Sequence, residues 1–241
     1  MDPIGLKAVE LDALAELATR LATDAGALVL RHQPETRTDV QTKSSATDMV
    51  TEVDRASESL IVSRIRSARP GDAIEGEEGT ADGGISGVTW LVDPLDGTTN
   101  YLYDYPAYSV SVAVLSGGVA AVGVVFDPVR GELFRAVAGR GATRSGVPLH
   151  LSSGPALDSA LVGTGFSYEA ARRAHQAFAL TAVLPRVRDI RRGGSAALDL
   201  CWVAAGRLDA FYERGLQPWD RAAGALVAAE AGAWVGAGRR P

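Results

Sequence analysis

The sequence predicts an α/β protein in two halves, an antiparallel-sheet half over residues 1–155 and an α/β half over residues 156–241. Three observations carry this reading. Two amphipathic helical patterns open the chain. Four β-branched or alternating runs, separated by Gly-Gly and Asp-Pro turns, occupy residues 108–151. After Pro155 strand patterns alternate with helical ones, the order of an α/β unit.

The first helix spans residues 11–30, with apolar residues at 11, 14, 17, 18, 21, 25, 28 and 29, the spacing of one buried helical face. Pro34 ends it, and the polar residues 35–48 read as a loop. A second helix, residues 54–67, turns Leu60, Ile61 and Ile65 inward and stops at Arg69-Pro70-Gly71-Asp72. Residues 74–79 read as a short strand entering a glycine-rich turn, and residues 80–87 as a flexible surface linker. An apolar strand then leads to Asp93. Runs 109–115, 119–126, 131–138 and 147–151 form an antiparallel meander. The second half continues as strand 160–163, helix 168–184, strand 187–191, helix 195–205, strand 208–212 and helix 220–232.

With 46% apolar and 22% charged residues in 241, the chain suits a soluble globular fold with a large core. A net charge of −5 does not favour non-specific nucleic-acid binding, so no nucleic-acid partner is expected. The lone Cys201 excludes an internal disulfide framework and a thiolate zinc cluster, and reads as a small buried hydrophobe. The mixed acidic and basic N-terminus is unlike a signal peptide. No apolar run approaches the ~18–20 residues of a membrane span, so the expected compartment is the cytoplasm, with no membrane partner.

The chemistry concentrates in Trp90-Leu-Val-Asp93-Pro-Leu-Asp96-Gly-Thr-Thr-Asn-Tyr101. A rigid Pro94-Leu95 step separates two carboxylates, and Gly97 and Thr98 offer backbone N–H groups where a helix begins. Carboxylates suit a hard cation such as Mg²⁺, and a helix start suits a phosphate. More carboxylates stand at strand ends or tight turns: Asp54 in Thr51-Glu-Val-Asp54, Glu77-Glu78 in the glycine turn, and Asp220 after Trp219. Separated Asp and Glu without His form an oxygen-only donor set, expected of Mg²⁺ rather than zinc. Taken singly, Asp96 and Asp220 read equally well as helix caps, and Glu77-Glu78 as a solvated acidic turn. His32, His150 and His175 have no catalytic neighbour in sequence. There is no Gly-x-Ser-x-Gly elbow or Gly-x-x-x-x-Gly-Lys phosphate loop, and Gly163-Thr-Gly165 lacks the third glycine of a dinucleotide turn.

Lys43-Ser-Ser-Ala-Thr-Asp48-Met-Val-Thr51-Glu-Val-Asp54, Gly76-Glu-Glu78, residues 90–101, Gly194-Ser-Ala-Ala197, Asp209-Ala-Phe-Tyr-Glu213 and Trp219-Asp220-Arg-Ala-Ala-Gly224 follow in order. In order and spacing they resemble the inositol monophosphatase family, over residues 11–235. The resemblance implies an αβαβα sandwich of the sugar-phosphatase type, Mg²⁺-dependent hydrolysis of small phosphomonoesters with two or three ions per site, lithium sensitivity and a homodimer. It implies that Glu77, Asp93, the Leu95 carbonyl, Asp96 and Asp220 are the metal ligands, Asp93 bridging two ions. Asp54 with Thr98, beside Glu77, resembles the group that readies the attacking water. Gly97 and Thr98 resemble the phosphate-holding residues, and Gly194, Ser195, Ala196 and Glu213 those lining the alcohol part of the substrate, between Asp96 and Asp220. Glu78 is implied as a support behind the ligands, and Lys43 as a loop residue near the metals.

The expected substrate is myo-inositol monophosphate, a small phosphorylated polyol. Fructose 1,6-bisphosphate, histidinol phosphate and 3′-phosphoadenosine 5′-phosphate are the alternatives within the superfamily. A bisphosphate would want extra basic residues near the pocket, and Arg186, Arg188, Arg191 and Arg192 are candidates, against a reading as a solvated edge or dimer contact. The aspartyl-phosphate phosphatases use Asp-x-Asp-x-Thr, which Asp93-x-x-Asp96-Gly-Thr98 does not match. A non-enzymatic protein or RNA interaction module on the same fold is the other class, hinted at by the arginines of residues 186–192. The resemblance implies a further strand and helix after residues 230–232, where this chain has a Gly/Arg/Pro tail. An unpaired sheet edge and exposed apolar surface are expected there.

Overall fold

The computed structural model describes residues 5–32, 41–42, 49–50 and 52–236, so the implied role of Lys43 falls outside the described residues. Its elements are α1 (Ala8–Arg31), β1 (Gln41–Thr42), β2 (Met49–Val50), α2 (Glu52–Ala68), β3 (Ala73–Gly76), β4 (Ala81–Asp82), β5 (Val88–Asp96) and α3 (Thr98–Leu102). There follow β6 (Ser109–Ser116), β7 (Val119–Asp127), β8 (Glu132–Val137), β9 (Ala142–Arg144), β10 (Val147–Leu149) and β11 (Leu161–Thr164). The chain continues through α4 (Ala170–Val183), β12 (Asp189–Arg191), α5 (Ala196–Ala204), β13 (Ala210–Tyr212) and α6 (Pro218–Glu230).

An eight-stranded sheet in the order β10-β9-β8-β7-β6-β5-β3-β4 forms the centre. Its strands alternate because both faces are covered. Along β6, Val110, Val112 and Val114 enter the core beneath α1 and α2, while Ala113 enters the core beneath α5 and α6. The second face tolerates close helix approach because its residues are small. A Cβ at Gly123 on β7 would come within 2.7 Å of the Ala223 carbonyl on α6, and one at Gly224 within 2.9 Å of the Ala197 carbonyl on α5. The small-residue start of α6 is thus a packing surface.

Beyond α5 and α6 lies a three-stranded parallel sheet in the order β12-β11-β13. Gln176 of α4 accepts from the Ser167 N–H at 2.7 Å and donates to the Arg214 carbonyl at 3.0 Å, tying the last helix to the loops of that sheet. The layers are helices, sheet, helices, sheet, helix: the expected αβαβα sandwich. Among the described residues no helix is long and apolar enough to cross a membrane, and Cys201 is buried in the core.

Three expected segments differ. Residues 35–48, read as a loop, contain β1, and β9 falls between the expected runs 131–138 and 147–151. Residues 80–87, read as a flexible linker, contain the edge strand β4, antiparallel to β3. The chain steps out to that edge and returns on the far side of β3, so β5 enters parallel to β3. The large sheet is therefore mixed, and this single parallel pair builds the site.

Candidate active site

Residue Gly76 of β3 pairs with Val92 of β5, and the Glu77 N–H donates to the Val92 carbonyl at 3.1 Å. Glu77 and Asp93 thus leave neighbouring parallel strands at the same, C-terminal end, where open α/β sheets bind their ligands. Beyond Asp93 the β5–β6 ladder shifts register. Pro94 supplies no N–H for a ladder, and the Leu95 N–H folds back onto Asp93 Oδ1 at 3.1 Å. The Ser57 hydroxyl of α2 clamps the Pro94 carbonyl at 2.9 Å. Gly97 then takes the left-handed conformation at φ 98°, and a Cβ there would meet the Ala107 carbonyl at 3.0 Å and the Gly194 carbonyl at 3.3 Å. Glycine fits this turn without either penalty.

The hydroxyl of Thr98, first residue of α3, stands 3.0 Å from Asp54 Oδ1 and 3.1 Å from the Leu95 carbonyl. Asp54 is fully buried on α2. The carboxylate of Asp96 reaches the start of α5, where one oxygen accepts from the Ser195 hydroxyl at 2.6 Å and the Ala197 N–H at 2.7 Å. Asp220 does cap its helix, accepting from the Gln217 N–H at 2.7 Å, and it also lines the shared cavity. Both readings of Asp220 therefore describe it.

That cavity has a volume of about 490 Å³. Glu77, Asp93, Leu95, Asp96, Gly97, Thr98, Gly194, Ser195, Ala196, Glu213 and Asp220 all line it. Glu78 does not; its N–H donates to Glu58 Oε2. The hydroxyl of Ser195 is engaged by Asp96, so Ser195 holds a carboxylate more than it offers a group to a ligand. Among the described residues no three His, Cys, Asp or Glu side chains stand in a finished metal-holding arrangement. The hydrogen bonds on Asp96 and Asp220 hold each of them partly aside.

Electrostatics nonetheless couple the group. Burial pushes the Asp93 carboxyl well above the usual range, and the charges of Glu77, Asp96 and Asp220 push it the same way. Burial raises Asp96 to about 7, against the hydrogen bonds from Ser195 and Ala197, with Glu77 and Glu213 adding to the rise. A cluster of carboxylates forcing one another towards protonation is a cluster that a divalent cation would relieve. Its all-oxygen donor set matches Mg²⁺.

Sequence reasoning missed several residues. Glu58, buried on α2, accepts from Glu78 N–H, Thr80 N–H and the Thr80 hydroxyl, fixing the turn that carries Glu77. Asp199 lines the cavity with one buried oxygen lacking a partner, and burial, then Asp96 and Glu213, lift its carboxyl to about 8. Arg172, Arg214 and Tyr168 also line the cavity. One signal was present: Gly165 has no Cβ because the Glu213 carboxylate occupies that place.

Residues 10–237 match the profile described as the inositol monophosphatase family. The chain belongs to that family. An inositol-1-monophosphatase of Mycobacterium leprae is 48% identical over 237 residues, covering 91% of this chain and 81% of the relative. The Nus factor SuhB of Escherichia coli is 42% identical over 224 residues, covering 92% and 84%. The crystal structure of extragenic suppressor protein SuhB from Bartonella henselae superposes with a TM-score of 0.86 at 37% identity, covering 91% of this chain and 85% of that one. The αβαβα sandwich is that of the inositol monophosphatase family.

Proposed function

We propose that this chain is a Mg²⁺-dependent phosphomonoesterase that hydrolyses myo-inositol monophosphate to inositol and phosphate. The observation that carries the reading is the meeting of Glu77, Asp93, Asp96 and Asp220 in one cavity with Thr98, whose hydroxyl is bonded to Asp54 behind it. Magnesium, held by these carboxylates and the Leu95 carbonyl, supplies the positive charge that a phosphate dianion needs before water can attack. The buried Asp54 carboxylate and the Thr98 hydroxyl orient that water and take its proton as the new P–O bond forms. The Gly97 and Thr98 N–H groups support the phosphoryl oxygens at the start of α3. The ester P–O bond breaks, the leaving alkoxide takes a proton from a water, balancing the one taken up at Asp54, and the alcohol leaves towards Glu213, whose carboxylate accepts hydrogen bonds from polyol hydroxyls. Among the described residues, those lining the cavity include no thiol or imidazole, in keeping with direct attack by water.

The test is phosphate release from inositol 1-phosphate, fructose 1,6-bisphosphate, histidinol phosphate and 3′-phosphoadenosine 5′-phosphate, with and without Mg²⁺ and with stepwise Li⁺. Mg²⁺-dependent release, greatest for inositol 1-phosphate, supports the reading; no release from any ester ends it. A second reading, binding of a protein or RNA partner, is favoured by the Escherichia coli relative named as a Nus factor. Asp93→Asn separates the two, since it abolishes turnover and leaves a binding role intact.

A further inference from the structure

The cavity lining carries arginines as well as carboxylates. Of the arginines at 186, 188, 191 and 192, Arg192 lines the cavity, and it is joined there by Arg172 and Arg214. Arg191 donates to Asp189 and the Ile190 carbonyl, Arg188 to the Ser159 carbonyl, and Arg172 pairs with Glu169 at 3.3 Å. Arg192 and Arg214 differ: among the described residues neither guanidinium has a hydrogen-bond or ion-pair partner.

Arg192 stands beside the phosphate turn. A Cβ on Gly97 would face the Gly194 carbonyl at 3.3 Å, and a Cβ on Gly194 would meet Arg192 Nη1 at 2.8 Å. Arg192 therefore stands one residue beyond the turn assigned to the phosphate. Its charge draws the Glu213 carboxyl down against burial, and it acts likewise on Tyr168 and Asp199. Arg214 follows Glu213 directly. A neutral polyol would meet Glu213 and leave both cations unneutralised. A guanidinium is a planar fork shaped for a carboxylate or phosphate.

We infer that Arg192 and Arg214 form a second anion subsite in the catalytic cavity, taking a phosphate or carboxylate carried on the alcohol part of the substrate. The inference rests on the phosphatase reading above and adds to its substrates esters whose leaving group is itself anionic.

The test compares kcat/KM within matched pairs: adenosine 2′,5′-bisphosphate against adenosine 2′-monophosphate, and 2-phosphoglycerate against glycerol 2-phosphate. The first pair reads a second phosphate and the second a carboxylate. The wild-type enzyme is expected to prefer the doubly anionic member of at least one pair by about tenfold, the scale of one charge-assisted bidentate contact. The double variant R192A/R214A is expected to bring that ratio close to one, and R192K to retain part of it. Because the readout is a ratio, a general loss of activity or of folded protein cancels. A wild-type ratio near one in both pairs overturns the inference. So does a preference that survives in R192A/R214A, or an equal loss on both members, which would assign Arg192 to the shared phosphate. If no ester is hydrolysed, the phosphatase reading fails separately. Calorimetric titration of the same pairs into the Mg²⁺-loaded protein then decides the subsite by the same ratio.

Discussion

Thr98 Oγ1 lies 3.0 Å from Asp54 Oδ1, joining two buried side chains 44 residues apart in the chain. The contact ties the start of α3 to α2 and sets a buried carboxylate directly behind the Thr98 hydroxyl that lines the cavity. Thr98→Ala is expected to lower kcat about 100-fold, the usual scale for one proton-transfer partner, with little change in KM. Steady-state phosphate release measures it. The melting temperature is expected to fall by only about 2–4 °C, since one net hydrogen bond is lost. A full collapse of the fold would mean that the pair is structural.

If Mg²⁺ binds as proposed, relief of the mutual repulsion around Asp93 would make it a stabiliser as well. At about 100 times its dissociation constant, a bound ion adds about 2.7 kcal/mol, or about 5–10 °C in a protein of this size. Differential scanning fluorimetry with and without Mg²⁺ is expected to show that rise. Asp93→Asn is expected to raise the metal-free melting temperature, because a neutral amide relieves the push from Glu77, Asp96 and Asp220, and to erase the response to Mg²⁺.

Glu58 never lines the cavity, yet it holds the turn that presents Glu77. Glu58→Ala leaves three donors without their acceptor and is expected to cost about 1–3 kcal/mol by chemical denaturation. It is also expected to weaken Mg²⁺ binding, measured calorimetrically. Gly76→Ala should reproduce both effects, because its Cβ would occupy the place of the Glu58 carboxylate.

Asp72 sets a pH-dependence away from the active site. Burial alone would raise its carboxyl. Hydrogen bonds from Arg69, Trp90 and Ser86, with the Arg69 charge, hold it below its ordinary value of 3.8 instead. A depressed folded value means that its contribution is fully present above 3.8 and is lost as pH falls through the folded value. Asp72→Asn is expected to cost about 1–3 kcal/mol at neutral pH. The gap between the two melting curves is expected to close only below pH 3.8, as the wild-type carboxyl takes up a proton at its lowered folded value. A gap independent of pH would show that charge on Asp72 contributes nothing.

Much of the site was legible in order along the chain. The stretch 90–101 carries its own geometry: Pro94 breaks the ladder, Gly97 permits the left-handed turn, and Thr98 opens α3. Those effects act over a few residues, so residue type and spacing suffice to read them. The paired helical and strand periods likewise exposed the meander and the helices that cover it. Glu58, Asp199 and Arg214 carried no such signal, because each matters through a neighbour far away in sequence.

The sequence by itself determined where carboxylates, glycines and apolar faces occur, since propensity, turn chemistry and period are local properties of the backbone. Tertiary structure alone decided which of them meet. The edge strand β4 made β3 and β5 parallel and so set Glu77 beside Asp93. The bare α-carbons of Gly123 and Gly224 let α6 and α5 sit close enough to bring Asp220 and the start of α5 to the same cavity. Close packing between distant segments sets such distances, and no short stretch of chain contains both partners.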